Sequence, residues 1–258
     1  MKVCQFLTSK GDEWLFKMLQ NMHAVLEGEL VDQPIFVGLD DPAGVSTMLQ
    51  TQSLVDKAFR GRLHIHCFIH PSFSGRGLGC AGDFLNFLVD QGLNAGCDRF
   101  LHLNDDISMT RYYLQYLEQA SSFGKYAVIP DDGIHQPPFN NFHYFGIDYM
   151  ADVYPEGKVY ADTDQIYWHD TEFILRAFCA NRLKYEPRAK ILHLNWTNLP
   201  AMCINAKERN QSERIVQDAR AFVQRVKHLP LKQMGISFAG PDGSLPLGEV
   251  GEILKELC

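Results

Sequence analysis

Three acidic pairs, each closing an apolar run, are the residues with the clearest capacity for chemistry: Asp40-Asp41, Asp105-Asp106 and Asp131-Asp132. The middle pair ends Arg99-Phe100-Leu101-His102-Leu103-Asn104. Phe and Leu favour a buried strand and Asp is depleted inside strands, so these carboxylates belong at the strand's C-terminal mouth. In an open α/β sheet that mouth is where ligands bind. Two hard oxygen ligands there suit Mg²⁺ or Mn²⁺ holding a phosphate group. An acidic turn after a strand explains the same residues, and the motif alone does not choose between the two.

Other residues divide in the same way. Asp170 and Glu172, in Trp168-His169-Asp170-Thr171-Glu172, stand where an amphipathic helix opens. Asp170 is placed as an N-cap, and a carboxylate there also faces any ligand at the helix terminus. His193 lies on an apolar strand, where a histidine is either a structural residue with one hydrogen bond or a metal ligand. Ser74-Gly75-Arg76-Gly77-Leu78-Gly79 precedes a helix, which suits a phosphate at a helix N-terminus and equally a plain turn. Tyr167 and Trp168 either stack on a sugar or base or are buried in the fold. His64, His66 and His70 evoke zinc, but alternation accounts for their spacing and no nearby cysteine or carboxylate completes a set.

The elements that must position these residues follow from periodicity. A strand over Lys2–Leu7, a helix burying Leu15, Met18, Leu19, Met22 and Leu26, and a strand over Pro34–Leu39 make a β-α-β unit. That unit predicts a parallel pair with a right-handed crossover. A helix over Thr47–Ala58, an alternating strand over Leu63–His70 and a helix from Ala81 lead into the strand at Arg99. Beyond it the pattern predicts a helix over Thr110–Ser121 and a strand over Tyr126–Pro130. From Gly133 to Asp164 regularity fails, as in a lid or binding loop. After the helix at Asp170 come two short strands, Lys184–Pro187 and Ala189–Trp196, a long helix over Ala206–His228 and a last helical turn at Glu252–Leu257.

Composition sets outer bounds. The 258 residues are 46% apolar and 12% aromatic, ample for a packed core. No run is long enough to cross a bilayer and no signal pattern opens the chain. Seven scattered cysteines without a C-x-x-C pair predict free thiols in a reducing, cytoplasmic compartment. The net charge of −7 is uneven: Arg182–Lys232 holds eleven Lys and Arg against four Asp and Glu, about +7. Such a stretch is either a surface for a polyanion or a solvated helix face.

In order along residues 1–197, these parts resemble the inverting nucleotide-sugar glycosyltransferases of the family 2 type, with the GT-A fold. The matching residues are Val3–Thr8, Ile35–Asp41, Gly75–Asn86, Gly92–Asp106, His169–Arg176 and Ile191–His193. The resemblance implies an α/β fold: a GT-A type, Rossmann-like central mixed sheet with helices on both faces, plus a C-terminal helical extension. Residues 1–204 would form the glycosyltransferase domain, with 1–106 the nucleotide-sugar-binding half and 107–204 the acceptor and catalytic half. Residues 205–258 would be the extension.

The resemblance also assigns roles. Thr8, Asp40, Arg76, Asn104, Asp105 and Asp106 would bind the donor, a nucleotide-diphosphate sugar of the UDP type. Asp106 and His193 would hold Mn²⁺ or Mg²⁺. Asp170 would be the general base, with Glu172 its nearest rival, and Tyr167 and Trp168 would meet the acceptor. Asn104 stands in place of a frequent acidic residue, and His169 where Glu is common. The basic stretch raises a second acceptor class, a hydroxymethylated base in DNA as in bacteriophage enzymes. A sugar-nucleotide binder without activity and a nucleotidyltransferase are further alternatives.

Overall fold

In the first half of the chain, strands and helices alternate: β1 (Val3–Ser9), α1 (Glu13–Leu26), β2 (Pro34–Leu39), α2 (Val45–Phe59), β3 (His64–Phe68), α3 (Ala81–Asn94) and β4 (Arg99–Leu103). Next come β5 (Ile107–Met109), α4 (Tyr113–Ser121), β6 (Ala127–Asp131), β7 (His143–Gly146) and α5 (Ile147–Val153). The last elements are α6 (His169–Cys179), β8 (Leu183–His193), α7 (Glu213–Val226) and α8 (Glu249–Leu254). The computed structural model describes residues 1–9, 13–26, 33–39, 45–59, 63–69, 81–134, 141–161, 168–194, 213–236, 238 and 249–257.

Eight strands form one mixed sheet in the order β3-β2-β1-β4-β7-β6-β8-β5. The first four are parallel, as expected of β-α-β units, and their C-terminal ends share one edge. Because β2 and β4 flank β1 on opposite sides, the chain reverses direction across the sheet between β1 and β4. A ligand crevice opens at such a switch point.

Strand alternation explains the two covered faces. Val3 and Leu7 of β1 join Ile35, Leu101 and the inward side of α1 in one core, while Cys4 and Phe6 join Phe36, Phe100 and the inward side of α3 in another. Helices α1, α2 and α4 contribute to the first core, and α3, α5 and α6 to the second. These near-continuous apolar strands read as parallel-sheet strands because both faces are buried. A third core joins α7 and α8 to Leu175 of α6.

The structure departs from the periodicity in four places. The segment expected to be irregular holds β7, which pairs antiparallel with β4 (Arg99↔Gly146 to His102↔His143), and α5. All four residues of β7 are buried, so no alternation marks it. β5 is three residues long, too short for a period, and displaces the start of α4 to Tyr113. The two strands expected around Pro187 are one strand, β8. There the pairing with β6 passes from Pro130↔Glu186 to Asp131↔Lys190, a bulge that accommodates a residue without an N–H. Finally, Trp168 rather than Asp170 occupies the cap position of α6.

Candidate active site

β4 ends abruptly. Its five residues are buried, and the next three, Asn104, Asp105 and Asp106, are half-buried at the mouth of the parallel strands. The chain turns at once into β5, which pairs with the end of β8 through Ile107↔His193. The Leu194 N–H donates to the Asp106 carbonyl at 2.8 Å, which fixes the main chain on both sides of that contact. Asn104 Nδ2 lies 3.1 Å from His193 Nε2. With the amide as donor, Nε2 accepts and the imidazole is neutral. Residues 89 apart in sequence are thus joined by the short β5–β8 ladder.

The neighbouring strand contributes a residue that the spacing did not single out. Ser9, the last residue of β1, donates its hydroxyl to Asp105 Oδ2 at 2.6 Å. Thr8, the residue named on sequence grounds, is half-buried and registers with Gly38 of β2 instead. Both carry hydroxyls, and only the β1–β4 register, which pairs Leu7 with Leu103, tells them apart. Asp40, Arg76 and Tyr167 lie outside the described residues, as do His70 and the Gly75–Gly77 turn.

Helix α6 comes to this mouth from the far side of the sheet. The His169 ring stands 6.0 Å from that of His102, the strand residue just below Leu103. His102 also stacks on Phe6 and contacts His143 and Tyr160. Burial first, then His143 and His169, push the His102 imidazole well below its ordinary range, so it is held neutral. Asn86 of α3 grips the Tyr160 backbone with two hydrogen bonds, at 2.8 and 3.0 Å. Gly82 lets that loop pass: a Cβ there would sit 2.0 Å from the Ala161 carbonyl oxygen.

The two carboxylates of α6 have different environments. Asp170 is half-buried, and its Oδ1 accepts the Thr171 N–H at 2.7 Å. The Tyr160 hydroxyl is pushed well above its usual range, chiefly by burial, then by Tyr154 and by the charge of Asp170. Glu172 is buried, with Oε1 held by Arg176 Nε at 2.9 Å and Oε2 by Arg225 Nε at 2.7 Å. Both carboxylate oxygens are thus taken up by guanidiniums, one on α6 and one on α7. Trp168, expected to meet an acceptor, stacks on Phe222 of α7 at 5.2 Å.

Among the described residues no group of three or more His, Cys, Asp or Glu is arranged to hold a metal ion. Asp106 and His193 are the residues that would hold a divalent ion such as Mn²⁺, which would complete its shell with substrate phosphates and water. A preformed cage of protein ligands is a different arrangement. His64 and His66 are exposed on edge strand β3, outside any such group.

The basic stretch is largely neutralised where it is described. Arg182, Arg188, Lys190, Arg220 and Arg225 pair with Asp152, Glu186, Asp131, Glu249 and Glu172. Lys184 donates to the Ala120 carbonyl and the Ser122 hydroxyl. Among the described residues these cations are ion-paired or hydrogen-bonded at a solvated surface. No described helix is long and apolar enough to cross a membrane.

No protein-family model and no curated protein matches the chain by sequence. Solved structures do resemble it. TarS of S. aureus, residues 1–349, aligns with a TM-score of 0.57 at 13% identity, over 90% of this chain and 73% of that one. A structure of the same protein in complex with UDP-GlcNAc aligns with a TM-score of 0.54. The mannosyltransferase PcManGT from Pyrobaculum calidifontis, in complex with GDP-Man and Mn²⁺, aligns with a TM-score of 0.56 at 10% identity, over 99% of this chain and 68% of that one. With its switch point between β1 and β4 and its acidic exit from β4, the chain has the GT-A-like α/β fold of nucleotide-sugar glycosyltransferases.

Proposed function

We propose that the chain transfers a sugar from a nucleotide-diphosphate donor, of the UDP type, to an acceptor hydroxyl with inversion, in the manner of the family 2 enzymes it resembles. The observation that carries this reading is the convergence of Ser9, Asn104, Asp105 and His193 at the switch-point mouth. Their four positions come from the ends of β1 and β8 and from the turn after β4. Solved neighbours with this fold bind UDP-GlcNAc in one case and GDP-Man with Mn²⁺ in another.

In this reading Asp105, oriented by Ser9, accepts hydrogen bonds from the donor's ribose. Thr8, Asp40 and Arg76 complete the contacts to base and diphosphate. Asp106 and His193 hold the divalent ion, which when bound supplies Lewis-acid stabilisation of the departing diphosphate. His193 can take that role once Asn104 releases Nε2. With these two ligands a divalent ion would complete its shell with the donor's phosphates and water.

Asp170 removes the proton of the acceptor hydroxyl as that oxygen attacks the anomeric carbon. A base on one side and the leaving group on the other give inversion in a single displacement. A reducing, cytoplasmic compartment fits the free Cys4, Cys67, Cys97 and Cys179, with burial and Asp56 pushing the Cys67 thiol up to about 12.

The test is a panel of nucleotide sugars with Mn²⁺ or Mg²⁺, followed by release of free sugar or its transfer to simple hydroxyl acceptors. Metal-dependent turnover of at least one UDP-sugar is expected. Turnover of none, with no nucleotide diphosphate bound, would overturn the proposal.

A further inference from the structure

Asp170 stands between two residues that the same C-terminal helix holds. Two positions before it, Trp168 adopts φ 76° and ψ −6°, a left-handed conformation that a bulky residue keeps only when its surroundings impose it. No side-chain cap supports that end of α6. The indole instead stacks on Phe222 of α7 at 5.2 Å and 19°, and Phe222 is backed edge-on by Phe238 at 5.8 Å. Two positions after Asp170, Glu172 is held by Arg225 of α7 at 2.7 Å.

The spacing makes these contacts a pair. Trp168 and Glu172 are one turn apart on α6, and Phe222 and Arg225 are three residues apart on α7, so one face of each helix meets one face of the other. At about 100° per residue, Asp170 lies roughly 200° around α6 from Glu172. Leu175, one turn beyond Thr171, joins the same apolar core as Val216, Phe222 and Val223. Helix α7 thus holds the side of α6 opposite the base.

We infer that α7 is a positioning element of the active site: Arg225 and Phe222 fix the first turn of α6 and so the aim of Asp170. The inference rests on the reading of Asp170 as the general base. The first turn of a helix has no hydrogen-bond partners of its own for its N–H groups and frays readily. A proton acceptor carried on it must nevertheless be held to within a fraction of an ångström of its productive geometry. Arg225 and Phe222 touch neither donor nor acceptor, and they act through Glu172 and Trp168.

The experiment uses the full chain carrying Arg225→Ala, Arg225→Lys or Phe222→Leu. In Arg225→Ala, Glu172 keeps Arg176, so the buried carboxylate stays paired and the chain folds. The expected result for Arg225→Ala and Phe222→Leu is a 10- to 100-fold loss of kcat, on the order of the effect of a misplaced catalytic group. Donor affinity should stay within about twofold, because none of the proposed donor contacts lies on α6 or α7. Arg225→Lys should recover part of the loss by keeping a charge on Glu172. Hydrogen exchange at residues 169–173 should quicken while that of β1 and β4 does not change.

Wild-type kcat in both Arg225→Ala and Phe222→Leu, with exchange at 169–173 unchanged, would overturn the inference. Exchange quickened throughout the chain would overturn it too, by making the role one of general stability. If the wild-type chain transfers no sugar, the reading of Asp170 as base fails. Exchange at 169–173 then still decides whether α7 holds that turn.

Discussion

Asn104 Nδ2 lies 3.1 Å from His193 Nε2, so the turn after β4 and the last residue of β8 meet through the ring nitrogen that a divalent ion would take. Amide and ion compete for one atom. Asn104→Asp replaces the competing donor with a carboxylate beside the same histidine. Mn²⁺ affinity, measured by calorimetry in the presence of UDP, should rise roughly tenfold, at the lower end of the range for residues that support metal ligands. Unchanged or weaker binding would place the ion away from His193.

Ser9 of β1 supports the acid pair through a 2.6 Å bond to Asp105. Ser9→Ala removes a hydrogen bond to a charged group, a change worth about 2 kcal/mol. Donor binding should weaken by roughly the corresponding factor of thirty if Asp105 meets the ribose. Thr8→Ala should cost less. A larger loss in Thr8→Ala would return the role to the residue first singled out.

The two carboxylates of α6 should separate cleanly. Asp170→Asn should leave donor binding intact and lower kcat by about 10² to 10⁴, the usual contribution of a general base. Glu172→Gln should lower kcat only by the 10- to 100-fold expected of Arg225→Ala and should also destabilise the chain, because it uncouples Arg176 and Arg225 from a buried charge. Thermal unfolding and steady-state kinetics on the two variants measure both. A fully active Asp170→Asn would reassign the base.

Much of this was legible in the chain, and the exceptions share a cause. β1, β2 and β4 were readable because long apolar runs buried on both faces end in polar residues, and α1 because its five buried side chains recur at helical spacing. β5 and β7 were not, being three and four residues long and defined by partners far away in sequence. The acid pair and His193 could be named from type and position. Ser9 could not be preferred to Thr8, because register is a property of two strands. Nor could the partners of Trp168 and Glu172 be named, since Phe222 and Arg225 lie about fifty residues further on.

Acid should weaken the fold through the histidine cluster. Burial, His143 and His169 hold His102 well below its ordinary value of 6.5. As pH falls below about 6.5 the unfolded chain takes up a proton that the folded chain refuses, so stability is lost in that direction and is complete above it. The melting temperature should drop by at least about 4 °C from pH 7.5 to pH 5. His102→Phe should flatten that slope, and an unchanged slope would place the titration elsewhere.

The most direct test compares wild-type chain with Asp106→Ala in thermal unfolding with UDP alone, Mn²⁺ alone and both together. Asp106 is half-exposed, so its loss should leave the melting temperature of the ligand-free chain within about 2 °C. In the wild type UDP and Mn²⁺ together should raise the melting temperature by more than the two separate shifts combined, because the ion would complete its shell with the diphosphate. Asp106→Ala should abolish that excess. An equal excess in Asp106→Ala, or none in the wild type with any nucleoside diphosphate, would contradict a metal-assisted nucleotide-sugar site at the end of β4.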